Sequence, residues 1–262
     1  MNALIPGGFA GLEAQLWLWL VAMIRPGAAF VAAPVFGAPQ VPLQVRLVIA
    51  LAVGMPGLAA GGFDLPAAGV VSPEGVLMIL GEVLIGLAIG FAVQIGFSAA
   101  LVAGETISNA MGLGFSSMID PSTDQGTPAL GSFLSVLGTL LFLSLGGHLM
   151  LAAILLASYR TLPIGGPLMG AEPLHDLVLF GGQLFAAGLM IALPVGFALI
   201  LVQLVMAMLA RSAPALNLFA VGLPAALMAG IVLLAIAAPV IADGIVLSLQ
   251  AGLATAERIA GG

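Results

Sequence analysis

The chain has 262 residues, 62% of them hydrophobic and only 6% charged, with a mean hydropathy of +1.27. So few charges cannot cover a water-soluble fold of this length, so much of the chain faces lipid or apolar protein. Five arginines, no lysine and eleven acidic residues leave no basic block, which argues against nucleic acid as a partner; without cysteine there are no disulfides, thiolate metal sites or Cys nucleophiles.

The N-terminal stretch lacks a basic n-region and no small-residue cleavage site follows, so it is expected to be retained and not removed as a signal peptide. Apolar blocks then follow at about 12–36, 41–63, 74–110, 128–159, 177–210 and 213–242. None alternates with the period-two pattern of barrel strands, so helices are predicted throughout, in an all-α membrane-complex protein. Lys/Arg clusters that would orient the loops are nearly absent. The connecting stretches are rich in Pro and Gly, at Gly61-Gly62, Pro66, Pro73, Pro121 to Pro128 and Pro163 to Pro173. With no long linker or soluble insert, residues 1–262 read as a single domain.

The uncharged runs do not suit simple spanning helices. Between Glu82 and Glu105 lie 22 uncharged residues, about 33 Å as a helix and enough to cross a ~30 Å core. Between Asp124 and Arg160 lie 35, roughly 50 Å, too long for one crossing and short for two. Gly146-Gly147 is the expected break, giving two pieces folded as a hairpin. A similar break is expected between Asp176 and Arg211, at Pro194, and between Arg211 and Asp243, at Pro214 and Pro224. Seventeen prolines and 36 glycines thus predict kinked helices and hairpins packed mainly against other protein. An ordinary six-span permease is the alternative at this level, since membrane helices tolerate Pro and Gly.

Along the chain, Arg25 ends a long apolar stretch before Pro26-Gly27. It is expected to snorkel to an interface, marked by Trp17 and Trp19, or to pair with a carboxylate such as Glu13. If residues 82–110 form one helix, Gln94, Ser98, Glu105 and Asn109 fall within about a 60° arc, and Glu82 lies about 120° or more away. Such a stripe serves either inter-helix and subunit contact or a pore wall. Gly86 and Gly90 make a GxxxG that permits close helix approach. The segment GLGFSSMIDPSTDQG, residues 112–126, places Phe115, Met118 and Ile119 on a flexible backbone. Asp120-Pro121 argues against helix continuation there. At membrane depth such a segment must be enclosed or line a cavity, which fits a pore plug; a solvent-exposed connector is the alternative. Arg211 precedes Asn217, which Pro214 and Pro224 bracket, and Asn217 is expected to satisfy freed backbone groups or meet a partner. His148 and His175 are too far apart in sequence to signal a metal site. No GxSxG, HExxH, Walker A or dinucleotide fingerprint occurs, so no enzymatic activity and no cofactor are expected.

Four stretches in order resemble the FliR family of flagellar export-gate proteins, related to SctT of injectisomes. They are RPGAAFVAAPVFGAPQVPLQVRL at 25–47, EVLIGLAIGF at 82–91, the run from Gly112 to Ala152 continuing to RTLPIG at 160–165, and APALNLFAVGLP at 213–224. Residue 215 is Ala where the family often carries Gln. The resemblance implies a FliP-like part, roughly 1–175, fused to a FliQ-like part, 176–262. It implies assembly with FliP and FliQ homologues, and an FlhB homologue, into a closed channel for unfolded flagellar proteins in the bacterial inner membrane at the flagellar basal body. It further implies a plug near residues 112–124, carried by Phe115, Ser116, Ser117, Met118, Ile119, Asp120 and Pro121. Glu82, Gln94, Ser98, Glu105 and Asn109 become candidates for subunit contacts or the channel wall, and Arg25, Arg46, Arg211 and Asn217 for structural or partner contacts. GGHL and RTLPIG look closer to the flagellar than to the injectisome branch. The competing readings are an injectisome gate subunit and a proton-coupled small-solute transporter worked by Glu82 and Glu105.

Overall fold

The structure, a computed structural model, describes residues 8–60, 66, 69–113, 129–166, 169–212 and 218–261. Among these the chain is 87% helical, with no strand. The helices are α1 (Gly8–Ala22), α2 (Ile24–Ala32), α3 (Leu43–Ala60), α4 (Pro73–Ala110), α5 (Ala129–Ser144), α6 (Gly147–Thr161), α7 (Ala171–Ser212) and α8 (Leu218–Gly261). By length and composition four stretches among the described residues could cross a membrane, five if α5 and α6 form one broken span.

Local chemistry explains the ends of α4. Ser72 caps its start by accepting from the Gly75 N–H at 3.1 Å, Pro73 sits at the first helical position, and Glu74 faces the positive end of the dipole. At the other end Gly112 adopts φ +82°, with its N–H donating to Asn109 O and the Leu113 N–H to Ser108 O, each at 3.0 Å. This glycine-based pair of bonds stops the helix. The helix runs unbroken through Gly96 and Gly104.

The break expected near Gly146-Gly147 is present: Gly146, at φ +69°, separates α5 from α6. The breaks expected at Pro194 and Pro224 are absent. Helix α7 passes through Pro194 over 42 residues, and α8 passes through Pro224 and Pro239 over 44 and continues beyond Asp243. One proline removes one N–H and leaves one carbonyl open, whereas a full break in an apolar medium exposes several groups at several kcal/mol each. Straight helices of these lengths measure about 63 and 66 Å, roughly twice a ~30 Å hydrocarbon core.

The chain divides into two compact units, the boundaries falling within α4, α7 and α8 and between α5 and α6. Unit 1 comprises residues 1–95, 146–180 and 251–262. Its core joins Val21, Val70, Met78, Tyr159 and Ile164, with Trp17, Ile24, Leu58 and Ile79 packed against them. Unit 2 comprises residues 96–145 and 181–250. It is built on small-residue contacts: Gly104 meets the Gly131 backbone, Gly188 meets Val102, Gly244 meets Ile191, and the buried Ser248 hydroxyl donates to Gly96 O at 2.8 Å.

Candidate functional site

The most concentrated chemistry among the described residues lies in unit 1 around Arg25, in the first turn of α2. Arg25 is 0% exposed and Glu82, on α4, is 3% exposed. The pair is bidentate: Nε donates to Glu82 Oε2 at 2.8 Å and Nη2 to Oε1 at 2.9 Å. Nη1 donates to Ser158 Oγ at 2.9 Å, and Nη2 also to Leu162 O at 2.7 Å, at the C-terminal end of α6. Four hydrogen bonds thus leave a buried guanidinium with little unmet capacity, and the cation rests on the negative end of the α6 dipole. Below it the Tyr159 ring centroid lies 4.3 Å from Cζ, a cation–π contact, and the Tyr159 hydroxyl donates to Ala22 O at 2.7 Å. One side chain therefore ties α2 to α4 and α6, and Tyr159 extends the tie to α1.

Glycines make the approach possible. Glu82, Gly86 and Gly90 are spaced by four and share one face of α4. A Cβ at Gly86 would strike the Arg25 carbonyl, and one at Gly90 the Ala29 carbonyl. Likewise a Cβ at Gly54 would strike Ala22 O, and one at Gly57 would come within 2.5 Å of the Tyr159 ring. The GxxxG is thus the surface on which α2 lies, close enough for Glu82 to reach the guanidinium.

These facts correct two expectations. Arg25 is buried and does not snorkel; the carboxylate it pairs with is that of Glu82, which is thereby turned into the chain's own interior. The sequence separation of 57 between Arg25 and Glu82 hid the pairing. The stripe itself lies on one continuous helix: Gln94, Ser98 and Glu105 are half-buried and Asn109 is exposed. Gln94 and Ser98 both have interaction partners. Arg46 is half-buried near the start of α3, donating from Nη2 to Ala38 O at 2.6 Å, and Arg211 is exposed in the last turn of α7. The plug candidates Phe115, Ser116, Ser117, Met118, Ile119, Asp120 and Pro121, and Asn217, lie outside the described residues.

Against this geometry the chain can be compared with known proteins. The profile of the family described as "Bacterial export proteins, family 1" matches residues 16–251. The flagellar biosynthetic protein FliR of Escherichia coli (strain K12) is 36% identical over 231 residues, covering 87% of this chain and 86% of that protein. The chain belongs to the FliR family of bacterial export proteins. Flagellar biosynthetic protein FliR of Aquifex aeolicus (strain VF5) is 31% identical over 208 residues, 79% of this chain and 80% of that one. That of Bacillus subtilis (strain 168) is 28% identical over 226 residues, 85% and 86% of the two chains.

All three relatives carry the name of a flagellar biosynthetic protein. In this FliR-family chain the Arg25 cluster holds helices together, and its polar atoms are spent on that. Sequence reading missed Ser158, Tyr159 and the Leu162 carbonyl as members of the cluster. The Glu82-Gly86-Gly90 spacing marked a contact face in the sequence, but not the helix that meets it.

Proposed function

We propose that this chain is a structural subunit of the flagellar type III protein-export gate. It assembles with FliP and FliQ homologues, beside an FlhB homologue, into the closed channel through which unfolded flagellar proteins leave the cell. The assembly belongs to the bacterial inner membrane at the flagellar basal body. The carrying observation is the match to the export family across residues 16–251.

Physical features support the reading. Helices of about 57 to 66 Å cannot lie wholly in a ~30 Å core, so much of their apolar surface needs protein neighbours. Phe185, Met190 and Phe197 on α7 and Met228 and Ile236 on α8 are all exposed. Alternating lipid and subunit contacts would cover them. In this reading residues 1–175 form the FliP-like part and 176–262 the FliQ-like part. Gln94, Ser98, Glu105 and Asn109 meet neighbouring subunits or the channel wall, and Arg211 and Asn217 meet partners. A transporter worked by proton uptake at Glu82 draws no support, because Arg25 already holds both carboxylate oxygens.

Residues 112–124 form the plug, with Phe115, Met118 and Ile119 excluding water from the resting channel. Export energy comes from another component, since the chain carries no nucleotide-binding motif. Deleting residues 115–120 in the assembled complex is expected to raise resting ion leakage severalfold without preventing assembly. Leakage equal to that of the intact complex would remove the plug from this account.

A further inference from the structure

Unit 2 carries a second polar device, at the end of α4. The Gly112 turn satisfies the carbonyls of Ser108 and Asn109. The next carbonyl, that of Ala110, takes its bond from a side chain: Gln203 Nε2, on α7, donates to it at 2.7 Å. Beside it Met111 is 3% exposed and occupies the space a side chain on Gly230 of α8 would need, so that a Cβ there would come within 2.6 Å of Met111 Cε. One turn back, the Ser108 hydroxyl is fully buried and has no partner.

Gln203 itself is exposed on α7, as are the apolar residues near it in sequence, Ile200, Leu204 and Val205. A primary amide among apolar neighbours is costly unless its donors are used. Single-residue capping of a helix end by a partner helix also fixes where the chain departs from the helix.

We propose that Gln203 is a positioning residue whose amide fixes the point where α4 ends and the chain leaves through Gly112. Its effect on channel closure rests on the plug reading above; its effect on the helix end does not. Replacing the amide by the similarly sized thioether, Gln203→Met, removes the donor at an exposed position and is expected to leave the fold intact.

The test uses the assembled complex in lipid nanodiscs, with amide hydrogen exchange and ion leakage measured on the same preparations. Gln203→Met is expected to speed exchange of the Gly112 and Leu113 amides about tenfold, equivalent to ~1.4 kcal/mol, the scale of one hydrogen bond. Ile89 and Ala92, in mid-helix, keep their protection, and resting leakage rises. Unchanged exchange at Gly112 and Leu113 overturns the proposal, as does a uniform rise along α4, which marks general loosening. Deletion of 115–120 serves as the reference. If that deletion does not leak while Gly112 and Leu113 respond to Gln203→Met, the plug reading fails and the positioning role stands.

Discussion

Arg25→Met is expected to destabilise the chain by about 3–5 kcal/mol, because it leaves the Glu82 carboxylate buried without its cation. Two further acceptors, Ser158 Oγ and Leu162 O, lose their donor at the same time. The reciprocal change, Glu82→Leu, strands a guanidinium in the same site and is expected to cost a similar amount. The double variant Arg25→Met/Glu82→Leu removes both charges and is expected to recover most of the loss, since an apolar pair of similar volume avoids the desolvation penalty. Thermal unfolding of the detergent-purified complex, run as a double-mutant cycle, measures this. Single variants within about 1 kcal/mol of the parent, the range of an exposed pair, would contradict the clamp.

Gly86→Ala carries the second large effect. Its new methyl meets the Arg25 carbonyl and the Ala28 side chain, and the carbonyl is backbone that no rotamer change can move aside. Either α2 shifts away from α4, lengthening the Arg25–Glu82 bonds, or the clash remains. Overpacking of this kind costs about 1–3 kcal/mol, and loss of the clamp adds to it. Gly90→Ala acts the same way through Ala29. The control is Gly196→Ala on α7, where nothing lies within 4 Å of the added methyl. There the helix gains about 0.5–1 kcal/mol, because alanine gives up less backbone freedom than glycine. Cellular accumulation and detergent stability of the variants check the contrast. Equal behaviour of Gly86→Ala and Gly196→Ala would mean that α2 does not lie on the glycine face.

The contrast between these sites bears on what the sequence could reveal. Composition and apolar runs were enough for an all-helical membrane protein, because lipid leaves the backbone few choices. The stop between α5 and α6 was readable from Gly146-Gly147, since glycine readily takes the left-handed turn found there. Pro194 and Pro224 misled for a related reason: proline disfavours a helix in water, but in an apolar setting continuing past one missing bond costs less than unwinding. The Arg25–Glu82 pair was not legible because nothing local states that α2 lies on α4. Charge patterns report neighbours three or four residues apart, not 57. The Glu82-Gly86-Gly90 spacing did mark a contact face, yet not its partner. Gln203 was similarly silent, since its acceptor is a backbone carbonyl 93 residues away and carries no residue identity.

The two units differ in how they are held. Unit 1 has a charged clamp, an aromatic ring over the cation and a continuous apolar core. Unit 2 relies on glycine and alanine contacts and single hydroxyl or amide bonds, with long exposed apolar faces on α7 and α8. Small-residue contacts of this kind give close packing without a strong driving force in lipid. Unit 2 is therefore the part expected to depend most on neighbouring subunits.

That dependence is tested most directly by the mass and subunit composition of the complex extracted in mild detergent. One species far heavier than a 262-residue chain is expected, in which this chain travels with FliP and FliQ homologues. A stable, solitary monomer, with α7 and α8 folded and no companion subunits, would contradict it.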